Sequence, residues 1–253
     1  MVLKVSKKGF NYSQDGPGNR LIYHLQGCNM RCPWCANPES MALDGTLITS
    51  QITGPHVSFT SERVEDLLEE ANDSRPLFFD GGGITVTGGE PTMQFDALKE
   101  FLTGLKACGI HTAIETNATH PKLSELFPLL DLLIMDCKHI DDKIHRPVTG
   151  VSNQIILKNI EKAMTEHGDV LIRTPLVNGF NADNETALRF VRFYQQFDTD
   201  HTRFELLKYH EYGRDKWTAC GLPYQIKDGF ISESRYTDIE NIYKSGGLTV
   251  VRT

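Results

Sequence analysis

The sequence predicts a parallel β/α fold, either an open doubly wound sheet or a full or partial β/α barrel. Three observations carry that reading. Strand-like and helix-like patterns alternate six times, and parallel neighbours need such crossover helices. No linker and no repeat interrupts the alternation, so residues 1–253 read as one domain. Polar or metal-ligating groups recur at the C-terminal ends of the strands, where parallel β/α folds gather their active sites.

The elements follow in order. Segment 20–27 (RLIYHLQG) is rich in β-formers. Segment 61–71 places Val64, Leu67, Leu68 and Ala71 on one helical face. Segment 83–89 (GITVTGG) is a short strand ending in glycines, and 95–109 is a helix stopped by Gly109. Then come a strand at 111–117, a short helix near 121–128 and a strand at 131–138. A helix over 152–168 carries Ser152 as its N-cap and Gly168 at its end. Strand 170–177, helix 182–197, strand 203–210, a helix near 233–245 and a final strand at 248–253 complete the series. Segment 41–60 reads as a loop or hairpin with no assigned role.

Composition narrows the function. The 253 residues are 40% apolar and 23% charged, with a formal net charge of −7. That balance suits a globular protein and lacks the basic stripe of a nucleic-acid binder. No apolar run approaches the roughly 20 residues of a membrane span. The N-terminus has positive charge without an apolar core, so no signal peptide is expected and the protein is assigned to the cytoplasm. Six cysteines in that reducing compartment read as metal ligands, catalytic groups or small core residues rather than disulfides.

Three of the six lie together. Cys28, Cys32 and Cys35 have the spacing C-x3-C-x2-C, with no fourth cysteine nearby. A structural zinc ion wants four protein ligands. A [4Fe–4S] cluster held by three leaves one iron open to a substrate. Spacing alone leaves iron–sulfur, zinc and a chance grouping of packed thiols open. The second signal is DGGGITVTGGEP (80–91), a glycine cluster between a strand and a helix, where Gly88 and Gly89 let backbone approach a ligand closely. The third is positional. The strand ends carry, in turn, the three cysteines, then Gly88, Gly89 and Glu90, then Glu115, Thr116 and Asn117, then Asp136 and Lys138, then Arg173, and finally His210. Asp136 and Lys138 share a face, so Cys137 between them points to the helices and into the core. Cys108 and Cys220 read as buried or incidental. His111, His120, His139, His145, His167 and His201 read as surface or local hydrogen-bonding groups, and Trp217 as packing.

The CxxxCxxC loop with the later GGEP resembles the radical S-adenosylmethionine (SAM) superfamily. More narrowly, DGPGNR (15–20), LQGCNMRCPWCANPES (25–40), GGGITVTGGEP (81–91), GIHTAIETN (109–117), LLIMDCK (132–138) and YHEYGRDKW (209–217) resemble the glycyl-radical-enzyme activating enzymes. The resemblance implies a partial (β/α)6 TIM-like barrel. It implies a [4Fe–4S] cluster on Cys28, Cys32 and Cys35 whose fourth iron binds SAM. It further implies a 5′-deoxyadenosyl radical that takes a hydrogen from a backbone glycine of a partner glycyl radical enzyme, with a flavodoxin or ferredoxin as electron donor.

Carried onto this sequence, the resemblance puts Trp34 and Ala36 near the adenine, and Gly88, Gly89 and Glu90 at the methionine end of SAM. Lys138, Arg173 and His210 fall near its carboxylate, methionine part or ribose. It puts Asp136 at a position able to hold a monovalent cation, and Asp15 near the entry of the glycine loop. The chain departs from the pattern at Glu115 (aspartate is usual), at Trp34 and Ala36 (tyrosine and histidine are usual) and at His24 (an apolar aromatic is usual). The stretch between Cys35 and Gly81 contains no cysteine, so a single cluster is expected, which leans towards pyruvate formate-lyase as the partner. A radical SAM enzyme acting on a small molecule, such as a 7-carboxy-7-deazaguanine synthase, shares CxxxCxxC and GGEP and is the alternative. A zinc-stabilised interaction protein is the non-catalytic one.

Overall fold

The computed structural model describes residues 1–50 and 54–253. In chain order its elements are β1 (Val2–Tyr12), β2 (Asn19–Leu25), β3 (Leu47–Ser50), β4 (Gly54–Val57), β5 (Thr60–Arg63) and α1 (Val64–Asp73). There follow β6 (Gly83–Gly88), α2 (Phe95–Ala107), β7 (Thr112–Thr116), β8 (Leu132–Asp136), α3 (Asp142–Thr149), α4 (Gln154–Glu166) and β9 (Val170–Leu176). The last are α5 (Asn184–Tyr194), β10 (Thr202–Lys208), α6 (Arg214–Ala219), α7 (Glu233–Ser245) and β11 (Val250–Val251).

One nine-stranded sheet runs β11-β10-β9-β8-β7-β6-β2-β1-β5. The six strands from β2 to β10 are parallel to their neighbours, and each was legible as an apolar run. They form the partial (β/α)6 barrel. β1 and β5 extend one edge antiparallel. The final strand is shorter than 248–253: only Val250 and Val251 pair with β10.

Two shells of packing hold the sheet. Outside, α2 buries Ala97, Leu98, Phe101, Leu102 and Leu105 at helical spacing. Each large side chain of that set contributes about 1.5–3 kcal/mol of transfer free energy. Inside, Ala113, Leu132, Ile134 and Leu171 form a small separate apolar cluster. Buried charges lie beside them: Arg20, bonded to Thr85, and Arg173, paired with Glu115 and Glu205.

Several boundaries differ from the sequence reading. Helix α1 begins at Val64 rather than 61, because Thr60–Arg63 pairs with β1 as a strand. Helix α4 has Asn153 at its N-cap, and Ser152 instead accepts from the Gln154 amide at 3.3 Å. Residues Leu123–Leu129 form a 3-10 turn containing Pro128. Helix α3 was not expected; its sequence is polar and carries Pro147. In the 41–60 segment β3 and β4 form an antiparallel hairpin, and the part of that expectation falling on 51–53 lies outside the described residues. Among the described residues no helix is long and apolar enough to cross a membrane.

Candidate active site

The cysteine loop leaves the end of β2 and is tied at both sides. Gly27 N donates to Ser40 O at 2.8 Å, Cys28 N to Met41 O at 3.0 Å and Arg31 N to Thr149 O at 2.8 Å. The Gln26 amide reaches Glu39 O at 2.9 Å and Ala42 O at 2.7 Å. The loop is therefore held by its own backbone, by the Gln26 side chain and by the end of α3.

Its sulfurs are prepared as acceptors. The Met30 amide points at Cys28 Sγ and the Asn37 amide at Cys35 Sγ, both at 3.4 Å. The Asn117 side chain, from the loop after β7, lies 3.9 Å from Cys28 Sγ. Such donors favour the thiolate. Burial opposes it: the free thiols of Cys28 and Cys32 are pushed up to about 12, and that of Cys35 to about 11. Iron held by these three sulfurs would supply the positive charge that resolves this conflict. Three cysteines on one turn, two of them facing backbone amides, fit a [4Fe–4S] cluster that gives each thiolate its own iron.

Opposite the loop, Gly88 adopts φ +123°, and a Cβ there would lie 2.3 Å from Leu25 N. At Gly89 a Cβ would lie 2.3 Å from Gly27 O. Both glycines are thus demanded by backbone crossing backbone at the foot of the cysteine loop. Glu90 is fully buried, and its carboxylate accepts from Thr92 N at 3.0 Å, Thr116 Oγ1 at 2.7 Å and Asn117 N at 2.6 Å. That side chain braces the β6 and β7 loops together. Its oxygens are thereby committed to protein donors.

Lys138 is buried, 2.5 Å from Asp136 Oδ2, and its pKa is raised by Asp136, Cys32 and Cys28 against the pull of burial. Its ammonium is held by the β8 carboxylate, and the cysteine sulfurs are near enough to act on it. Arg173 lies deeper. Its Nε donates to Glu205 at 2.8 Å, its Nη1 to Glu115 at 2.7 Å, and its Nη2 to Gln14 O and, at 3.4 Å, to Thr253 Oγ1. Thr87 Oγ1 donates to the second Glu115 oxygen at 3.0 Å. Asp15 is 3.8 Å from the same guanidinium, and its carboxyl is pushed up by burial and by Glu115. The turn carrying Asp15 joins the N-terminal end of β2, so Asp15 sits at the barrel floor beneath Arg173, away from the cysteine loop. Arg173 is the hub of that floor.

The remaining expected residues lie around the rim. Trp34 packs on Phe180 with ring centroids 4.8 Å apart. His210 is exposed and stacks on Tyr212 at 4.2 Å. Ala36 lies against Gly213. Cys137 is buried in the core as expected, Cys108 is exposed and Cys220 half-buried. His139, His145 and His167 are buried and bonded to nearby backbone. His24 is half-buried on β2 and stays neutral, its pKa pushed down to about 4 by burial and by Lys7. Sequence reasoning missed two groups. Thr116 and Asn117 were flagged only as a strand end, yet they anchor Glu90. Trp217 was read as packing, yet its indole N–H reaches the cysteine loop.

The profile of the radical SAM superfamily matches residues 22–191. The chain is 36% identical over 223 residues to the pyruvate formate-lyase-activating enzyme of Staphylococcus epidermidis, covering 85% of this chain and 84% of that protein. It is 34% identical, with the same coverage, to that of Staphylococcus aureus. A crystal structure of a domain of pyruvate-formate lyase-activating enzyme from Bacteroides vulgatus superimposes with a TM-score of 0.55 at 28% identity. That match covers 67% of this chain and 98% of that one. QueE from Escherichia coli superimposes with a TM-score of 0.59 over 99% of this chain and 93% of that one. At 13% identity it shows the fold alone.

The chain belongs to the radical SAM superfamily. Within it, the chain belongs to the family of pyruvate formate-lyase-activating enzymes.

Proposed function

We propose that this chain is a single-domain activating enzyme that installs a radical on a backbone glycine of pyruvate formate-lyase. The observation that carries the reading is the cysteine loop: three thiols on one turn, amide donors aimed at two of them, and Lys138 beside them. Bound there, a reduced [4Fe–4S] cluster supplies the electron that cleaves SAM, and that cleavage supplies the oxidant that removes a glycine hydrogen.

The residues divide the remaining work. Cys28, Cys32 and Cys35 each hold one iron. The backbone of Gly88, Gly89 and Glu90 offers carbonyls to the SAM ammonium, held in place by the Glu90 brace. Lys138 sets a fixed positive charge for the SAM carboxylate, and charge-assisted pairing of this kind is roughly twice as strong as a neutral hydrogen bond. Trp34, on its Phe180 support, and Ala36 bound the adenine side. His210 closes the ribose side from the rim. Arg173, fixed by two glutamates, holds the floor rigid beneath the reaction. Asp15 adds a third carboxylate beside the Arg173 guanidinium. Pyruvate formate-lyase is the partner supported by the relatives' names; a flavodoxin or ferredoxin as electron donor and a cytoplasmic location complete the proposal. The small-molecule alternative has no comparable support.

A monovalent cation does not fit this site. Asp136 is paired with Lys138 and Glu115 with Arg173, so both carboxylates that would hold it already have built-in cations. SAM affinity of the reconstituted protein should be unchanged when tetramethylammonium replaces potassium at equal ionic strength, which keeps screening constant. Glu115→Asp, one methylene short of Arg173, should acquire a potassium dependence in the same titration.

The reading is tested by mixing anaerobically reconstituted enzyme, reductant, SAM and pyruvate formate-lyase. A glycine-centred doublet in the electron paramagnetic resonance spectrum supports it. SAM cleavage with no signal on that partner would refute the assignment.

A further inference from the structure

Residues 209–217 run from the end of β10 into α6 and cross the cysteine loop on its outer side. Three contacts join them. Trp217 Nε1–H donates to Cys35 O at 2.9 Å. Lys216 Nζ bridges Asn37 Oδ1 at 2.8 Å and Glu39 Oε1 at 2.6 Å. Gly213 lies so close that a Cβ would fall 2.5 Å from Cys35 O and 2.8 Å from Ala36 Cα. Gly213 has φ −85°, which any residue adopts. Glycine is needed there for proximity, not for backbone freedom.

Two of these contacts address the same atom, the carbonyl oxygen of Cys35. The indole hydrogen bond fixes its direction, and the missing side chain at Gly213 lets the arm come close enough to make that bond. Packing alone asks for neither: a phenyl ring would fill the space of the indole, and an alanine would cover more surface. On the other side of Cys35, its sulfur accepts from the Asn37 amide, and Asn37 is itself held by Lys216. The peptide that carries the third thiol is therefore pinned from the arm. Three residues before Gly213 the same arm carries His210.

We propose that residues 209–217 form a positioning arm that sets His210 in register with the cluster by anchoring on Cys35 through Trp217 and Gly213. The proposal rests on the reading of the cysteines as cluster ligands and of His210 as a SAM contact. Trp217 is a positioning residue: it acts through Cys35 and His210.

The test uses the reconstituted full chain carrying Trp217→Phe, Gly213→Ala, His210→Ala and the Trp217→Phe/His210→Ala pair. Groups that support a metal's ligands typically change its affinity by ten- to a hundredfold. Trp217→Phe should therefore lose iron to a chelator about tenfold faster and bind SAM about tenfold more weakly, with the melting temperature of the iron-free protein unchanged. Gly213→Ala should likewise lose iron faster and bind SAM more weakly, and stands in if Trp217→Phe folds poorly. His210→Ala should weaken SAM binding at the wild-type rate of iron loss. In the His210→Ala background, Trp217→Phe should then cost no further SAM affinity, since coupled residues are non-additive. Additive losses, or iron retention and SAM binding at wild-type levels in Trp217→Phe and Gly213→Ala, would overturn the arm. A wild-type chain that holds no cluster would instead overturn the reading of the cysteines.

Discussion

Cys32→Ala is expected to lose its iron and its SAM cleavage together, falling to the background of the iron-free protein. Cys32 is fully enclosed, and Lys138 partly offsets the burial that pushes its thiol up to about 12. Cys28 and Cys35 remain in the variant, and the backbone bonds of their loop do not use the third sulfur. The fold should therefore survive. The melting temperature of the iron-free variant should match that of the iron-free parent, which separates loss of the cluster from loss of the protein. Cys137→Ala is the control. That thiol is equally buried but faces the core, so iron content should stay normal while stability falls by the small cost of a cavity.

Arg173→Met should have the largest effect on stability. The guanidinium neutralises buried Glu205 and half-buried Glu115, and lies 3.8 Å from Asp15. Its own side chain is 6% exposed and that of Glu205 is 3%. Removing one partner of such a group leaves buried charge without compensation, at a cost of about 3–5 kcal/mol. Urea unfolding of the iron-free protein measures this. Arg173→Met/Glu205→Gln should recover part of the loss, because one stranded charge goes with the arginine. If Arg173→Met unfolds at the wild-type midpoint, the floor is not held by this ion-pair network.

The strands were readable because each of the six parallel ones is an apolar run between turn residues, a pattern that burial on both faces imposes. β1 was not readable in the same way. Its first half alternates, but Lys7, Lys8 and Gly9 interrupt it, and its pairing with β2 and β5 is a long-range event. The same event converts Thr60–Arg63 from an apparent helix start into a strand. Helix α3 escaped because it buries only His145 and Thr149, too few residues for a periodic signal.

The site divides along the same line. Spacing within one loop disclosed Cys28, Cys32 and Cys35. Period-two alternation disclosed that Asp136 and Lys138 face inward together, and they meet at 2.5 Å. What pairs with what across the barrel was not legible. Glu90 read, with Gly88 and Gly89, as a contact for the methionine end of SAM; that its carboxylate accepts from Thr92, Thr116 and Asn117 was not announced. Nor did anything local announce that Arg173, expected near SAM, donates to Glu115, Glu205, Gln14 and Thr253. Trp217 read as packing, because nothing local in the sequence announces that residue 217 lies over residue 35. These are tertiary facts. They depend on where separate strand ends converge, and no periodicity encodes that.

The most direct measurement follows one hydrogen atom. Pyruvate formate-lyase made with deuterated glycine is mixed with the reduced enzyme and SAM, and the released 5′-deoxyadenosine is weighed by mass spectrometry. Transfer of deuterium into the nucleoside, in step with the appearance of the glycine radical, is the predicted result. Unlabelled 5′-deoxyadenosine from an iron-replete enzyme, with the partner left radical-free, would contradict the account.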